Sequence, residues 1–422
     1  MGLKVALESL GCKLNQAEIE LLAEQFTRAG YQVVPPTARA DVYVLNTCTV
    51  THVADRKCRH RLRLARSRNP DALVVAVGCY GERAGGELAQ IEGVDLVLGN
   101  QDKVDLPGRL GELGYLGEPS PALDEIVGFP FGFRTRAFVK VQDGCNNFCA
   151  YCIVPLVRGR ERSLPAEEII AEVRSRVSAG YREVVLTGVK VGAYGYDGVG
   201  LAGLLKLILA EIGVTRLRLS SLQPQEISPE LIGLWDDGRL CPHFHLSLQS
   251  GSDGVLQRMR RKYSVGDYSE AVSLIRQQVP DVAITTDVIV GFPGETDEEF
   301  EESFAFVQRL PLSYLHVFTY SARPGTRAAE MPDQVNHEVR KQRTHRLRAL
   351  STQKAEDFAM LSVGETLEVV VETPRDESGR VSGIADNYLR VSFEGSDDLR
   401  GQLVRVAIDE AHGRDVIGTL AT

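Results

Sequence analysis

The sequence predicts an α/β chain in three parts: an N-terminal parallel α/β domain, a central partial (β/α)6 barrel and a small C-terminal antiparallel β-barrel. Three observations predict it. Apolar runs alternate with helical patterns up to about residue 103, a strand-then-helix unit recurs about six times in the middle, and short alternating segments divided by Gly and Asp end the chain. A length of 422 residues leaves room for two or three cores, and 43% apolar with 25% charged residues is ordinary globular composition.

In the first part, residues 1–103, "KVALESL", "DVYVLNT", "ALVVAVG" and "VDLVLG" read as buried parallel strands. "NQAEIELLAEQFTRAG" reads as a helix capped by Asn15 and stopped by Gly30. Residues 104–136, with "GEPSPALDEIVGFPFGF", read as a linker. The second part, residues 137–361, has strands at "AFVKVQ", "EVVLTG", "RLRLSS", "FHLSLQ", "AITTDVIVG" and "YLHVFTY". Helical patterns such as "PAEEIIAEVRSRVSAG" and "DEEFEESFAFVQRL" fall between them, and a long charged helix ends near "DFAML". Six units make an open barrel rather than a full one, and such folds work at the C-terminal ends of their strands. Residues 362–422 hold "ETLEVVVET", "RVSGIADNYLRVSFEG", "GQLVRVAI" and "GRDVIGTL", the pattern of a small β-barrel.

No run of about 18 apolar residues exists to span a membrane. The start "MGLKVALESLGC" lacks a signal peptide's basic and apolar regions, so the expectation is a cytoplasmic protein with reduced thiols. A formal charge of −9 argues against a nucleic-acid partner, but its distribution does not. "DRKCRHRLRLARSR" carries Arg59, Arg61, Arg63 and Arg66, "RMRRKY" carries Arg260 and Arg261, and "RKQRTHRLR" adds a third basic run. One such run is ordinarily a solvated helix face; three in an acidic chain suggest phosphate contact.

Cysteines carry the chemistry. Cys145, Cys149 and Cys152 follow the first barrel strand as C-x3-C-x2-C, with no fourth Cys or His beside them. Zinc survives on the count, since three ligands and water make an open site, but its cysteines usually come as two separated pairs. Three thiolates on one loop suit three irons of a 4Fe–4S cube, leaving the fourth iron open to a substrate or cofactor. Cys12, Cys48 and Cys79 each end a predicted parallel strand, where ligands lodge in open α/β sheets. They form either a second three-thiolate site or three small buried hydrophobes. Cys58 and Cys241 read as structural or incidental.

With Tyr151 before its last cysteine, the triplet resembles the radical S-adenosylmethionine (SAM) superfamily, and the six-unit barrel agrees. The segments "LTGVKVGAYG", "LSLQSG" and "DVIVGFPGET" resemble its SAM-contacting regions. "LGCKLNQAE", "NTCTVT", "GCY" and "GCNNFCAYC", with the terminal barrel, resemble the methylthiotransferase family over essentially the full length. "LGCK", "NTCTVT", "GCNNFC" and "MRRKY" look most like its MtaB branch, which acts on N6-threonylcarbamoyladenosine beside the tRNA anticodon. Other branches typically carry "LGCQMN" (isopentenyladenosine in tRNA) or "LGCPKN" (a ribosomal-protein aspartate). The sequence departs from the commonest MtaB pattern at Lys190, Val191 and Leu164.

The resemblance implies a transferase that replaces the adenine C2 hydrogen by a methylthio group, using two 4Fe–4S clusters and two SAM per turnover. Cys145, Cys149 and Cys152 would hold the SAM-cleaving cluster, and Cys12, Cys48 and Cys79 an auxiliary cluster bearing the sulfur. Tyr151, Thr187, Gly188, Ser220, Gln249 and Gly291 would contact SAM. Flavodoxin or ferredoxin would feed electrons to a monomer, and a TRAM-type terminal barrel would grip the anticodon stem-loop of tRNA. Arg59, Arg61, Arg63, Arg66, Arg260 and Arg261 would hold its phosphates. A noncatalytic Fe–S electron-transfer protein or an RNA-binding protein stays as the alternative of another class.

Overall fold

The computed structural model describes residues 3–115 and 135–421. The first domain is a parallel sheet of β1 (Lys4–Ser9), β2 (Gln32–Val34), β3 (Val42–Thr47), β4 (Leu73–Gly78) and β5 (Leu96–Val97), in the order 2-1-3-4-5. Every residue of β3 is buried, as its continuous apolar run demands of a central strand. Helices α1 (Lys13–Arg28), α2 (His52–Arg68) and α3 (Cys79–Ala89) cover the sheet. The three-residue β2 was not read from the sequence.

Two expectations change here. Helix α1 begins at Lys13 with extended Cys12 as its N-cap, so Asn15 lies inside the first turn rather than capping it. Its amide instead donates to the Leu10 carbonyl at 3.1 Å and the Thr47 carbonyl at 2.9 Å, tying two sheet-edge loops together. The expected linker 104–136 opens with α4 (Leu106–Glu112), whose Leu106 and Leu110 are buried in the first domain's core. Its Gly/Pro-rich remainder, 116–134, lies outside the described residues.

The central part carries six parallel strands: β6 (Ala137–Lys140), β7 (Glu183–Thr187), β8 (Arg216–Leu219, resuming at Ser221–Leu222), β9 (His243–Leu246), β10 (Ala283–Val290) and β11 (Tyr314–Thr319). Each pairs with its sequential neighbour, giving an open, curved sheet. Alternation along these strands decides what faces the concave side. Val139, Val184, Leu217 and Phe244 join the large core under the outer helices. Their neighbours Phe138 and Val185 pack instead with Ala17 of α1, so the first domain lays α1 against the concave side.

Edge strand β11 is covered by α5 (His337–Met360). Ser351 Oγ accepts from the Leu315 N–H at 3.0 Å and donates to its carbonyl at 2.8 Å, satisfying edge groups that would otherwise stay open. The chain then closes a five-stranded barrel of β12 (Thr366–Thr373), β13 (Arg380–Ala385), β14 (Arg390–Glu394), β15 (Leu403–His412) and β16 (Asp415–Leu420). It is not wholly antiparallel: β14 and β16 pair in parallel, because β15 and β16 form a hairpin that returns the chain beside β14.

This barrel seals the bottom of the central one. Glu183 is fully buried and receives Arg216 and Arg218 at 2.6 Å each, with Arg136 at 3.6 Å. Arg218 also donates to the Ala385 and Asp386 carbonyls of the terminal barrel. Tyr388, from the same turn, stacks on His243 at 4.3 Å. Burial alone would raise the Glu183 pKa, but the guanidiniums hold it down at about 2.

Candidate active site

The triplet loop is held open by its own backbone. Gly144 has φ +68°, and a Cβ there would sit 2.0 Å from the Arg160 carbonyl, so only glycine allows the loop to fold back so tightly. Cys145 N–H donates to the Gly159 carbonyl at 3.1 Å, Ala150 N–H to Met259 at 2.9 Å and Ala328 N–H to Ala150 at 2.7 Å. All three cysteines line one cavity of about 310 Å³ at the C-terminal ends of the strands. Tyr151, Lys190, Gln223, Ser247, Gln249, Asp287 and Phe318 share its walls.

Two donors address the sulfurs directly. Asn147 N–H points to Cys145 Sγ at 3.3 Å, and Arg261 Nη1 to Cys149 Sγ at 3.2 Å. Arg261 is steered by the Tyr263 hydroxyl, which accepts from its Nε at 2.9 Å while facing the Ser247 and Leu248 carbonyls. Arg261 therefore belongs to the cysteine site, correcting its assignment to an RNA phosphate. Burial pushes the Cys152 thiol up to about 12, with the neighbouring cysteines adding to the shift. Such thiols become thiolates when a metal takes the proton's place.

The second set is assembled by topology. In a 2-1-3-4-5 sheet the chain reverses direction between β1 and β3, and the crevice at that switch point is where ligands lodge. Cys12 follows β1, Cys48 follows β3 and Cys79 follows β4. Gly11 has φ +124°, and a Cβ there would meet Cys48 Cβ at 2.6 Å, so the loops approach as closely as glycine permits. Cys12 and Cys79 stand near enough to Cys48 to act on it: its thiol is pushed up to about 12 by burial, with the other two cysteines adding to the shift. Cys58 backs Cys48, its sulfur 3.5 Å from that residue's N–H and carbonyl, as a structural cysteine would.

Both sets are donors suited to iron–sulfur ligation. Asn100 Nδ2 points at Cys79 Sγ from 3.7 Å, and Arg261 Nη2 is buried beside Cys149 without a partner among the described residues. Among the described residues no three His, Cys, Asp or Glu side chains stand close enough together to share one metal ion. Thiolates that each take a different iron of a cube stand further apart than ligands sharing one ion.

The two sets meet. Cys79 packs with Ile153, the residue after Cys152, and with Val157. Val50 and Thr51, just beyond Cys48, line the triplet's cavity. Glu18 of α1 ties the domains together: Arg158, from the helix after the triplet, reaches it at 2.9 Å and Lys103 at 2.6 Å, with Lys140 at 3.5 Å. Burial works against this carboxylate, but the three cations hold it well below the usual carboxylate range. At the mouth, Asp55 receives Arg323 at 2.5 Å.

The other expected contacts divide. Tyr151 and Gln249 line the cavity; Thr187, Gly188, Ser220 and Gly291 do not. Thr187 and Ser220 are buried beneath it, each hydroxyl without a partner among the described residues. A Cβ on Gly188 would meet the Gln142 carbonyl at 2.8 Å, and one on Gly291 would meet Arg340 Cγ at 2.2 Å, so both glycines serve packing. Of the arginines, Arg66 is turned inward, to the Gly93, Pro70 and Ala72 carbonyls and to Asp95. Arg59 donates to the Tyr80 hydroxyl and Arg61 pairs with Glu8 at 3.2 Å. Arg63 and Arg260 are exposed. Lys190 and Asp287, which line the cavity, lie in the segments matched to SAM contacts; the sequence reading missed Gln223, and a groove of about 600 Å³ along β11 with Phe318, Arg348, His412 and Arg414.

Residues 139–307 match the model of the radical SAM superfamily, and residues 4–99 that of the uncharacterized protein family UPF0004. The chain is 41% identical to the threonylcarbamoyladenosine tRNA methylthiotransferase MtaB of Bacillus subtilis, covering 96% of this chain and 94% of that one. Its identity to the Aquifex aeolicus protein of the same name is 40%, over 96% and 100%. Against the tRNA-2-methylthio-N(6)-dimethylallyladenosine synthase of Moorella thermoacetica it is 37%, over 95% and 94%. The fold is similar to that of the radical SAM methyltransferase TsrM of Kitasatospora setae, solved with cobalamin and a [4Fe-4S] cluster. That match has TM-score 0.59 at 16% identity, over 78% of this chain and 77% of that one.

Proposed function

Since the chain belongs to the tRNA methylthiotransferase family of radical SAM enzymes, we propose that it converts N6-threonylcarbamoyladenosine, next to the anticodon in tRNA, into its 2-methylthio derivative. The observation that carries this reading is the identity of about 40% over nearly the whole chain to relatives named for that nucleoside. The adjacency of the two cysteine sets, through Cys79 and Ile153, supports it.

When bound, the cofactors supply an electron that splits SAM into methionine and a 5′-deoxyadenosyl radical, together with a sulfur that a second SAM has methylated. Cys145, Cys149 and Cys152 would hold the cleaving 4Fe–4S cluster and Cys12, Cys48 and Cys79 the other. The protein's own work is positioning. Arg261 would steady the Cys149 thiolate by a charge-assisted hydrogen bond. Tyr151 and Gln249 would flank SAM, and Val50, Ile153 and Phe318 give the cavity apolar walls. A cavity of about 310 Å³ suits a nucleoside turned out of its loop.

For the RNA, the groove along β11 joins the cavity through Phe318, which lines both and is 45% exposed. A base can stack on that ring while Arg348 and Arg414 meet phosphates, and Arg63 and Arg260 remain available further out. An external one-electron donor such as flavodoxin or ferredoxin completes the cycle, and the chain acts as a monomer. No helix among the described residues is long and apolar enough to cross a membrane.

Mass spectrometry of nucleosides from tRNA incubated with reconstituted enzyme, SAM and reductant tests this reading. The expected product is the 2-methylthio form of N6-threonylcarbamoyladenosine; conversion of dimethylallyladenosine alone would contradict it.

A further inference from the structure

Lys13 follows Cys12 and opens α1, the helix laid on the barrel's concave side. Its ammonium reaches the barrel floor, 5.5 Å from the centre of the Tyr388 ring. It makes no hydrogen bond or ion pair with any described residue. The carboxylates around it are already taken: Glu183 by Arg136, Arg216 and Arg218, Glu372 by Arg136, and Asp287 by His245 at 3.1 Å. At the floor, Lys13, Arg136 and Arg218 all face the Tyr388 ring, whose phenol pKa burial would raise but these cations hold below its ordinary range, and with Arg216 they outnumber the two carboxylates Glu183 and Glu372. The Lys13 charge also bears on Asp287, which lines the cavity. An ammonium drawn out of water without an anion is costly, so this position favours a ligand that brings one.

We propose that Lys13 receives the carboxylate of the substrate nucleoside's N6 substituent and so selects the acid-bearing threonylcarbamoyl group over an apolar dimethylallyl one. This rests on the nucleoside assignment above. The selection has two sides: the acid gains a partly buried charge pair, whereas an apolar group would cover the ammonium and leave it unpaired. Because Lys13 adjoins Cys12, the same contact would bring the modified base toward the auxiliary set while C2 faces it.

The test uses reconstituted wild type, Lys13→Gln and Lys13→Arg, with tRNAs carrying threonylcarbamoyladenosine, its uncharged threonine amide, or dimethylallyladenosine. Wild type is expected to lose on the order of 10- to 100-fold in kcat/KM when the carboxylate becomes an amide. Lys13→Gln is expected to lose about as much on the acid and to treat acid and amide alike, with iron content and cluster spectra of wild type; Lys13→Arg is expected to restore part of the preference. A wild-type acid-to-amide ratio near one would overturn the inference whether or not Lys13→Gln folds, and so would a full ratio kept by an iron-replete Lys13→Gln. Wild type that modifies only the dimethylallyl tRNA would instead overturn the nucleoside assignment on which the inference rests.

Discussion

The two cysteine sets reach comparable sites by opposite routes. Cys145, Cys149 and Cys152 lie within one loop of eight residues, fixed by Gly144 and by bonds to segments of the same barrel. Cys12, Cys48 and Cys79 are spread over 68 positions and meet because a 2-1-3-4-5 sheet brings the ends of β1, β3 and β4 to one crevice. The first site depends on local backbone geometry, the second on a whole domain and on that domain's seating against the barrel. Loss of domain docking therefore endangers the second site first.

The largest expected effect comes from the cysteines themselves. Cys145→Ala and Cys48→Ala are each expected to remove about one cube, four irons, from anaerobically reconstituted protein while leaving the other cluster's spectrum in place. Loss of both spectra from either variant would break the separation of the two sites.

Next is Glu18, which joins them. Glu18→Gln leaves Arg158, Lys103 and Lys140 facing a neutral amide, and removing one member of a buried ion network costs roughly 3–5 kcal/mol. The urea midpoint is expected to fall, and the spectrum of the auxiliary site to weaken before that of the triplet. Equal loss at both sites would mean that the triplet is as dependent on docking as its counterpart.

A smaller effect is expected from acid at the barrel floor. Glu183 has its pKa lowered from 4.5 to about 2, so its contribution is fully present above 4.5 and is lost as pH falls toward 2. The loss is on the order of 3 kcal/mol. Fluorescence of Trp235 in cluster-free protein can follow it, and Glu183→Gln is expected to flatten the pH dependence between those values. An unchanged profile in that variant would remove Glu183 from the account of how the terminal barrel is held.

The smallest effect falls on the triplet alone. Arg261→Met deletes the donor to Cys149, and outer-shell losses of this kind typically cost roughly 10- to 100-fold in activity or cofactor affinity. The triplet cluster's potential is expected to fall, because a cation no longer favours the reduced form, while the auxiliary cluster's potential stays.

Legibility followed the same divide. The long strands, the triplet and the terminal barrel could be read from the sequence because each is written in local period or spacing. The auxiliary cysteines were visible as ends of parallel strands, which left a shared site open beside three buried hydrophobes; their cluster role came through family resemblance, since strand order is not written in any one segment. Asn15 resembled a cap because Asn-x-x-Glu mimics a helix start; its amide in fact bridges two loops. Helix α4 was hidden by Pro107 and the glycines around it, although Leu106 and Leu110 carry its buried face. The roles of Arg261, Arg66 and Lys13 depend on contacts between distant segments. Charge runs suggested a shared RNA surface, whereas Arg66 is spent on loop carbonyls and Arg261 on a thiol.

The division of labour between the two sets is the central claim, and one measurement tests it most directly: 5′-deoxyadenosine and methylthiolated nucleoside counted together in Cys48→Ala, given SAM, reductant and tRNA. The account expects 5′-deoxyadenosine to persist while methylthiolated product vanishes, with Cys145→Ala losing both. Methylthiolated tRNA from Cys48→Ala, or intact SAM cleavage by Cys145→Ala, would contradict it.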